Sequence, residues 1–291
     1  MKSLVVIYNP FSGRKKTKNL PQIIKKYIDL NQYEVHVWPT EKAHDVLLLA
    51  EKAIKLKVDI VLAAGGDGTI NQIASRLVNT GIVLGIIPLG SGNGFARHFK
   101  IPMNTVEALK QLPNYKIKEV DTVWVDRHCM VNIAGVGFDA HISSAFANTT
   151  KRGLQGYIKT IIRHLNYKSQ FYELYKNDLK IWQGNAFMIG VANATQWGNN
   201  VVLHPGAKPD DGLFNVLVLK KFTPLDFILI FKNLLEARLH TNKNTEVFTG
   251  TDFTIKRLED GPVHVDGEPL WLGKEININI EPLSLKIFSH E

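Results

Sequence analysis

The sequence predicts an N-terminal α/β domain with a doubly wound, mostly parallel sheet, followed by an antiparallel β-sandwich. Three observations carry this. Across the first ~120 residues, apolar β-rich runs alternate with segments of helical spacing. Three of those runs end in glycine-containing loops. Past about Asp121 the texture changes to many short strand-like runs with only two helical interruptions.

In order, Ser3–Tyr8 is a buried-strand run, and Asn9-Pro10-Phe11-Ser12-Gly13 follows with Arg14, Lys15, Lys16 and Lys18 beside it. That is either a ligand loop at a strand's C-terminal edge or a solvated basic loop. Leu20–Leu30 has helical spacing, Tyr33–Trp38 alternates like a strand, and Thr40 is placed to cap a helix over Val46–Leu56. Asp59–Ala64 is a strand feeding Gly65-Gly66-Asp67-Gly68-Thr69-Ile70-Asn71, from which a helical pattern leaves through Ile73, Ala74 and Leu77. Strand, glycine turn and helix start make a phosphate site, because glycines admit backbone N–H groups to an anion and the helix N-terminus adds partial positive charge. Asp67 would repel a bare phosphate, so it serves a metal ion or its waters, or orients a hydroxyl. The alternative is a tight turn with an N-capping aspartate. Ile82–Leu89 is another strand, ending in Gly90-Ser91-Gly92-Asn93-Gly94, and Thr105–Leu112 reads as helix. With parallel strands, all three loops fall on one sheet edge. None is a Walker P-loop or a dinucleotide fingerprint.

The later strands are expected at 118–125, 129–134, 171–174, 180–182, 186–192, 213–219, 247–249, 253–256, 276–280 and 283–287, with helices near 156–165 and 223–238. The domains are placed at 1–122 and 123–282, with the last strand (283–291) returning to the first. The cationic amphipathic stretch 151–165 suits an anionic membrane interface or packing onto its own domain. His204–Leu213 contains Asp210-Asp211 in a turn, where adjacent carboxylates sit in solvent or, with backbone carbonyls, hold a hard divalent cation. In Val265-Asp266-Gly267-Glu268, Asp-Gly is good turn chemistry, and the carboxylates offer a general base for a hydroxyl nucleophile. Residue types alone do not choose.

A composition of 45% hydrophobic and 21% charged residues is that of an ordinary globular chain. No apolar run reaches the ~18–20 residues that span a bilayer, and Met1–Tyr8 is too short for a secretory segment. The single Cys129 excludes an intrachain disulfide and a multi-cysteine metal site, reads as a small core residue, and fits a reducing, cytoplasmic setting. The formal net charge of +8 suits an anionic partner without choosing which.

Taken together, the segments NPFSG (9–13), GGDGTIN (65–71), GSGNGFAR (90–97), GVGFDA (135–140), PDDGLF (209–214) and VDGEPL (265–270) resemble the diacylglycerol kinase catalytic-domain family, in the family's order and over nearly the whole chain. Residues 65–69 alone are also similar to NAD kinase and phosphofructokinase, which share the first-domain plan; the PDDG and DGE segments separate the lipid kinases from both. The resemblance implies an ATP-dependent lipid kinase. It implies ATP contacts from Asn9, Pro10, Ser12, Gly13, Thr40, Gly65, Gly66, Asp67, Gly68, Thr69, Asn71, Gln72, Gly90, Ser91, Gly92 and Asn93. It implies a water and Mg²⁺ network through Asp67 and Asp121, Glu268 as base with Asp266 in support, and a structural Mg²⁺ on Asp211 and the Leu213 carbonyl. Two departures stand out. Gly94 lies where many bacterial relatives carry Asp, which brings the loop closer to the sphingosine and ceramide kinase pattern. Lys208 lies where some carry an acidic metal ligand, and an ammonium cannot ligate Mg²⁺. The expected partners are a membrane lipid substrate and an anionic membrane surface met peripherally. Nucleic acid is not expected, and a homodimer stays open. The rival readings are an NAD kinase-like phosphotransferase on a soluble substrate and a non-catalytic nucleotide- or lipid-binding module.

Overall fold

The computed structural model describes residues 1–10, 19–42, 44–147, 154–164 and 166–290. Contacts divide the chain into two units, Met1–Val120 with Leu283–Glu291, and Asp121–Pro282.

In the first unit, β1 (Lys2–Tyr8), β2 (Tyr33–Pro39), β3 (Ile60–Gly65) and β4 (Val83–Pro88) form a parallel sheet in the order β2-β1-β3-β4. Every residue of β3 and β4 is buried. Strands covered on both faces have no solvent side to mark with polar residues, which is why they read as unbroken apolar runs. Lys286 and Ile287 add a further parallel pairing against Val83 and Leu84, and Phe288 packs into the core formed by Leu4, Leu62 and Ile87.

The helices α1 (Leu20–Tyr27), α2 (Asp45–Lys55), α3 (Asp67–Leu77), α4 (Gly94–His98) and α5 (Thr105–Lys110) each bury an apolar stripe, such as Val46, Ala50 and Ala53 of α2. Thr40 does not cap α2. It is buried, and its N–H donates to the Tyr8 carbonyl (2.9 Å). The turn into α2 is closed by the Asp45 carboxylate, which accepts from the N–H groups of Glu41 (2.8 Å) and Lys42 (2.7 Å).

The second unit is an antiparallel structure. Its strands are β5 (Lys116–Val125, continuing from the first unit), β6 (His128–Met130), β7 (Ile133–Gly137), β8 (Gln170–Lys176), β9 (Leu179–Ala192), β10 (Gln196–Gly198), β11 (Val201–Val202), β12 (Phe214–Lys220), β13 (Thr245–Gly250), β14 (Asp252–Arg257), β15 (Gly261–Val265), β16 (Glu268–Leu272) and β17 (Glu275–Ser289, whose first part belongs here). The pairing order runs β16-β15-β7-β9-β8-β14-β17, and β12 joins β9 to β13. The two strands expected at 276–280 and 283–287 are one continuous β17, with Leu283 at φ 48°.

Alternation sorts the side chains of β12. Phe214, Val216 and Val218 enter one core with Tyr172, Ile189 and Phe253, while Leu217 and Leu219 enter a second with Met188, Leu203 and Ile230. The helices α6 (Phe138–Ala147), α7 (Leu154–Arg163) and α8 (Pro224–Leu235) complete the unit. The expectation for the face of residues 151–165 lies largely outside the described residues. Among the described residues, no helix is long and apolar enough to cross a membrane.

Candidate active site

Parallel pairing brings the strand ends of the first unit to one edge. Tyr8 stands opposite Pro39 and Ala64, and Gly65 opposite Pro88. Asn9 donates its N–H to the Ala64 carbonyl (3.3 Å), while the N–H groups of Leu89 and Gly90 both reach the Gly65 carbonyl (2.8 and 3.2 Å). The edge therefore gathers Asn9, Pro10, Thr40, Gly65–Gln72 and Gly90–Asn93. Ser12 and Gly13 lie outside the described residues.

The two glycine loops touch backbone to backbone. A Cβ on Gly90 would stand 2.6 Å from the Cα of Gly66, and a Cβ on Gly65 would stand 2.5 Å from the Thr69 side chain. Asp67 clamps the loops together. Its Oδ2 accepts the Asn93 N–H and its Oδ1 the Gly94 N–H, both at 2.8 Å. Gly92 is confined by the same carboxylate, since its Cβ would lie 2.8 Å from Oδ2. Asn93 takes the left-handed conformation (φ 52°) and donates from Nδ2 to the Gly90 carbonyl (2.9 Å), while Arg97 Nε holds the Gly92 carbonyl (3.0 Å).

No side chain caps α3 at Gly66. The buried oxygens Asn93 Oδ1 and Gln72 Oε1 have no hydrogen-bond partner among the described residues. An uncapped helix N-terminus, a cradle closed to any Cβ and two orphaned acceptors fit a nucleotide: backbone amides for its phosphates, acceptors for its hydroxyls.

In the second unit, Asp266 and Gly267 form the two-residue loop of the β15–β16 hairpin, with φ of 49° and 84°, the pair of positive values a tight hairpin turn demands. Asp266 is 6% exposed and its carboxylate accepts three successive amides, those of Val131 (2.9 Å), Asn132 (3.0 Å) and Ile133 (2.9 Å). It anchors the turn. Glu268, the first residue past the loop, is exposed, and its carboxylate makes no hydrogen bond or ion pair with the described residues. The turn thus presents one carboxylate on a backbone held by the other.

Asp121 is fully buried. Its Oδ2 accepts the Gly212 N–H (2.9 Å), and its own N–H donates to the Pro209 carbonyl (2.6 Å). It thereby ties down the turn that carries Asp211, whose Oδ1 accepts the Leu213 N–H (3.0 Å). Among the described residues no group of three or more His, Cys, Asp or Glu side chains gathers as a metal cage. Asp211 is exposed, and Asp211 with the Leu213 carbonyl therefore makes a sparse oxygen set that fits a largely hydrated cation rather than a protein-made cage. Both oxygens of Asp67 accept loop amides, so what its carboxylate does here is hold the two glycine loops together. Cys129 is buried, and burial pushes its thiol well above the usual range, so it is a core residue and not a nucleophile.

Residue-level reading missed α6 and with it a buried pair. His264 Nε2 lies 2.6 Å from Asp139 Oδ2, which also accepts from Trp197 Nε1 (3.0 Å). The available signal was Gly137 at the end of an apolar run, followed by helical spacing through Ala140 and Ile142.

Comparison with known proteins gives this geometry a family. Residues 3–125 match the model described as the diacylglycerol kinase catalytic domain, and residues 132–289 match the YegS C-terminal NAD kinase beta sandwich-like domain. A protein named "Probable lipid kinase YegS-like" from Klebsiella pneumoniae is 32% identical over 93% of this chain and 92% of its own. One of that name from Citrobacter koseri is 33% identical over 87% and 85%. The crystal structure of a diacylglycerol kinase from Bacillus anthracis superposes with a TM-score of 0.76 at 20% identity, covering 99% of this chain and 96% of that one. An NAD kinase from Archaeoglobus fulgidus in complex with ATP gives 0.55 at 16%, covering 100% and 94%. The chain belongs to the diacylglycerol kinase catalytic-domain family and is a phosphotransferase.

Proposed function

We propose that this enzyme transfers the γ-phosphoryl group of ATP to a hydroxyl of a membrane lipid. The observation that carries the lipid assignment is the surface of α8. Leu225 (87% exposed), Ile228 (75%), Leu229, Phe231 and Leu235 (65%) face water along one short helix, a patch that a water-soluble substrate gives no reason to keep. At its foot lies a cavity of about 650 Å³ lined by Tyr167, Phe187, Phe222 and Phe227, with Lys168 and Lys221 at its walls. Aromatic walls suit acyl chains, and the two ammonium groups suit an anionic leaflet.

Phosphoryl transfer needs positioning and charge neutralisation more than covalent help. The amides of Gly66–Thr69 and those of Ser91 and Gly92 hold the phosphates, while the Gly90 and Asn93 amides brace the loop itself. Asp67 keeps the two loops in register. Mg²⁺, when bound on the phosphates, supplies neutralisation of the charge shared with the leaving group. Glu268 accepts the proton of the lipid hydroxyl as that oxygen bonds to the γ-phosphorus and the bond to the bridging oxygen of ADP breaks. Asp266 supports the base through the backbone. Asp211 and the Leu213 carbonyl would hold a hydrated cation if one binds there, and Asp121 fixes the turn that carries them.

The test is transfer of label from γ-labelled ATP to vesicles of phosphatidylglycerol carrying diacylglycerol, monoacylglycerol or sphingoid bases, with NAD as a soluble competitor. Labelled organic-phase product supports the reading. Label on NAD, or on nothing, contradicts it.

A further inference from the structure

The motif Gly135–Ala140 has no role in the transfer step above, and neither does His264. Their geometry joins them to Glu268. Gly135 lacks a side chain where a Cβ would press 2.8 Å from Asp139 Oδ2 and 3.0 Å from His264 Nε2. Gly137, at φ 86° and with Phe187 O 2.7 Å from its would-be Cβ, turns β7 into α6 and places Asp139 in the helix's first turn. The glycines thus make room for a pair whose side chains are 2% and 4% exposed. On its other side His264 Nδ1 accepts the Gly267 N–H, at a long 3.4 Å. An accepting Nδ1 leaves the proton on Nε2, which donates to Asp139. His264, on β15, and Asp266, in the loop that follows, stand two apart in sequence. The first ties the turn to α6 and the second ties it to residues 131–133.

We infer that His264, oriented by Asp139, is a positioning residue that fixes the Gly267 peptide and so the direction in which Glu268 is presented. The inference rests on the role proposed for Glu268.

The two functions of the imidazole can be removed separately. His264→Asn keeps an acceptor near Nδ1 and loses reach to Asp139, whereas His264→Gln keeps a donor near Nε2 and loses the bond to Gly267. In the full-length chain, amide exchange at Gly267 is expected to speed up about tenfold or more in His264→Gln and to stay within about threefold of the parent in His264→Asn. On the vesicles above, His264→Gln is expected to lower kcat about tenfold with KM for ATP within about twofold, and to cost no more than about twofold when Glu268 is already Gln. Where Gln at 264 lowers the melting temperature, Asp139→Asn takes its place and is expected to give the same non-additivity. Unchanged Gly267 exchange in His264→Gln, or kcat losses that multiply with Glu268→Gln, would overturn the inference. A parent chain that labels no lipid would count against the kinase reading, and the exchange arm would still decide whether His264 holds the turn.

Discussion

Asp67 and Asp266 do the same mechanical work in opposite surroundings. Each is a carboxylate accepting successive backbone N–H groups from a segment distant in sequence, Asn93 and Gly94 in one case and residues 131–133 in the other. Asp67 begins a helix at a partly exposed sheet edge beside orphaned acceptors. Asp266 is buried in a hairpin whose exposed neighbour is Glu268. A partly solvated clamp can trade hydrogen bonds with water or ligand at modest cost, whereas a buried one leaves stranded donors when removed. The difference in burial therefore predicts different costs for removing the two clamps.

The largest stability effect is expected at the buried clamp. Asp266→Ala strands three N–H groups and should lower unfolding free energy by about 3–5 kcal/mol, read from urea denaturation. Asp67→Ala should cost only about 1–2 kcal/mol while raising KM for ATP about tenfold or more, because the two glycine loops lose their register. Equal stability losses at the two sites would break the comparison. Gly90→Ala sharpens it: backbone meeting backbone cannot give way as a side chain does, so about 1–3 kcal/mol of strain is expected, with ATP binding by calorimetry weakened more than melting is lowered.

The smallest effect concerns α8. Its first turn is closed by Asp226, which accepts from Thr223 Oγ1 (2.7 Å) and N–H (3.1 Å) and pairs with Lys243 (2.8 Å). The Lys243 bond and then those from Thr223 hold its carboxyl at about 2. A carboxyl lowered by folding stabilises above its ordinary value, and that contribution is lost as pH falls from about 4 towards 2. Protection of the amides at residues 225–228, taken relative to their intrinsic exchange rates, should fall across that window in the parent and show no such step in Asp226→Asn.

What was legible in the sequence follows from locality. The runs at 60–65 and 83–88 are apolar because both faces are covered, and Gly65, Gly66 and Gly90 were legible as loop formers because only glycine permits that approach. Long-range pairing left no such mark. Nothing local tells that Asp45, and not Thr40, closes the turn into α2, since Thr40 is taken by the neighbouring strand. The Asp139–His264 pair joins residues 125 apart. Helix α6 was hidden because its first residues continue a glycine-rich strand. Residues 276–280 and 283–287 read as two strands, yet β17 runs through both. Asp266-Gly267-Glu268 was visible as a turn, but the anchoring by Asp266 was not, because the amides that occupy its carboxylate come from residues 131–133.

The central claim is that Glu268 carries the proton transfer while Asp266 holds the turn. The most direct measurement is single-turnover transfer of label from ATP to lipid by Glu268→Gln, with melting temperature and ATP binding recorded on the same sample. The account predicts parent-like melting and ATP binding with transfer slowed about 10²–10⁴-fold. Transfer at close to the parent rate in that folded, ATP-binding variant would contradict it.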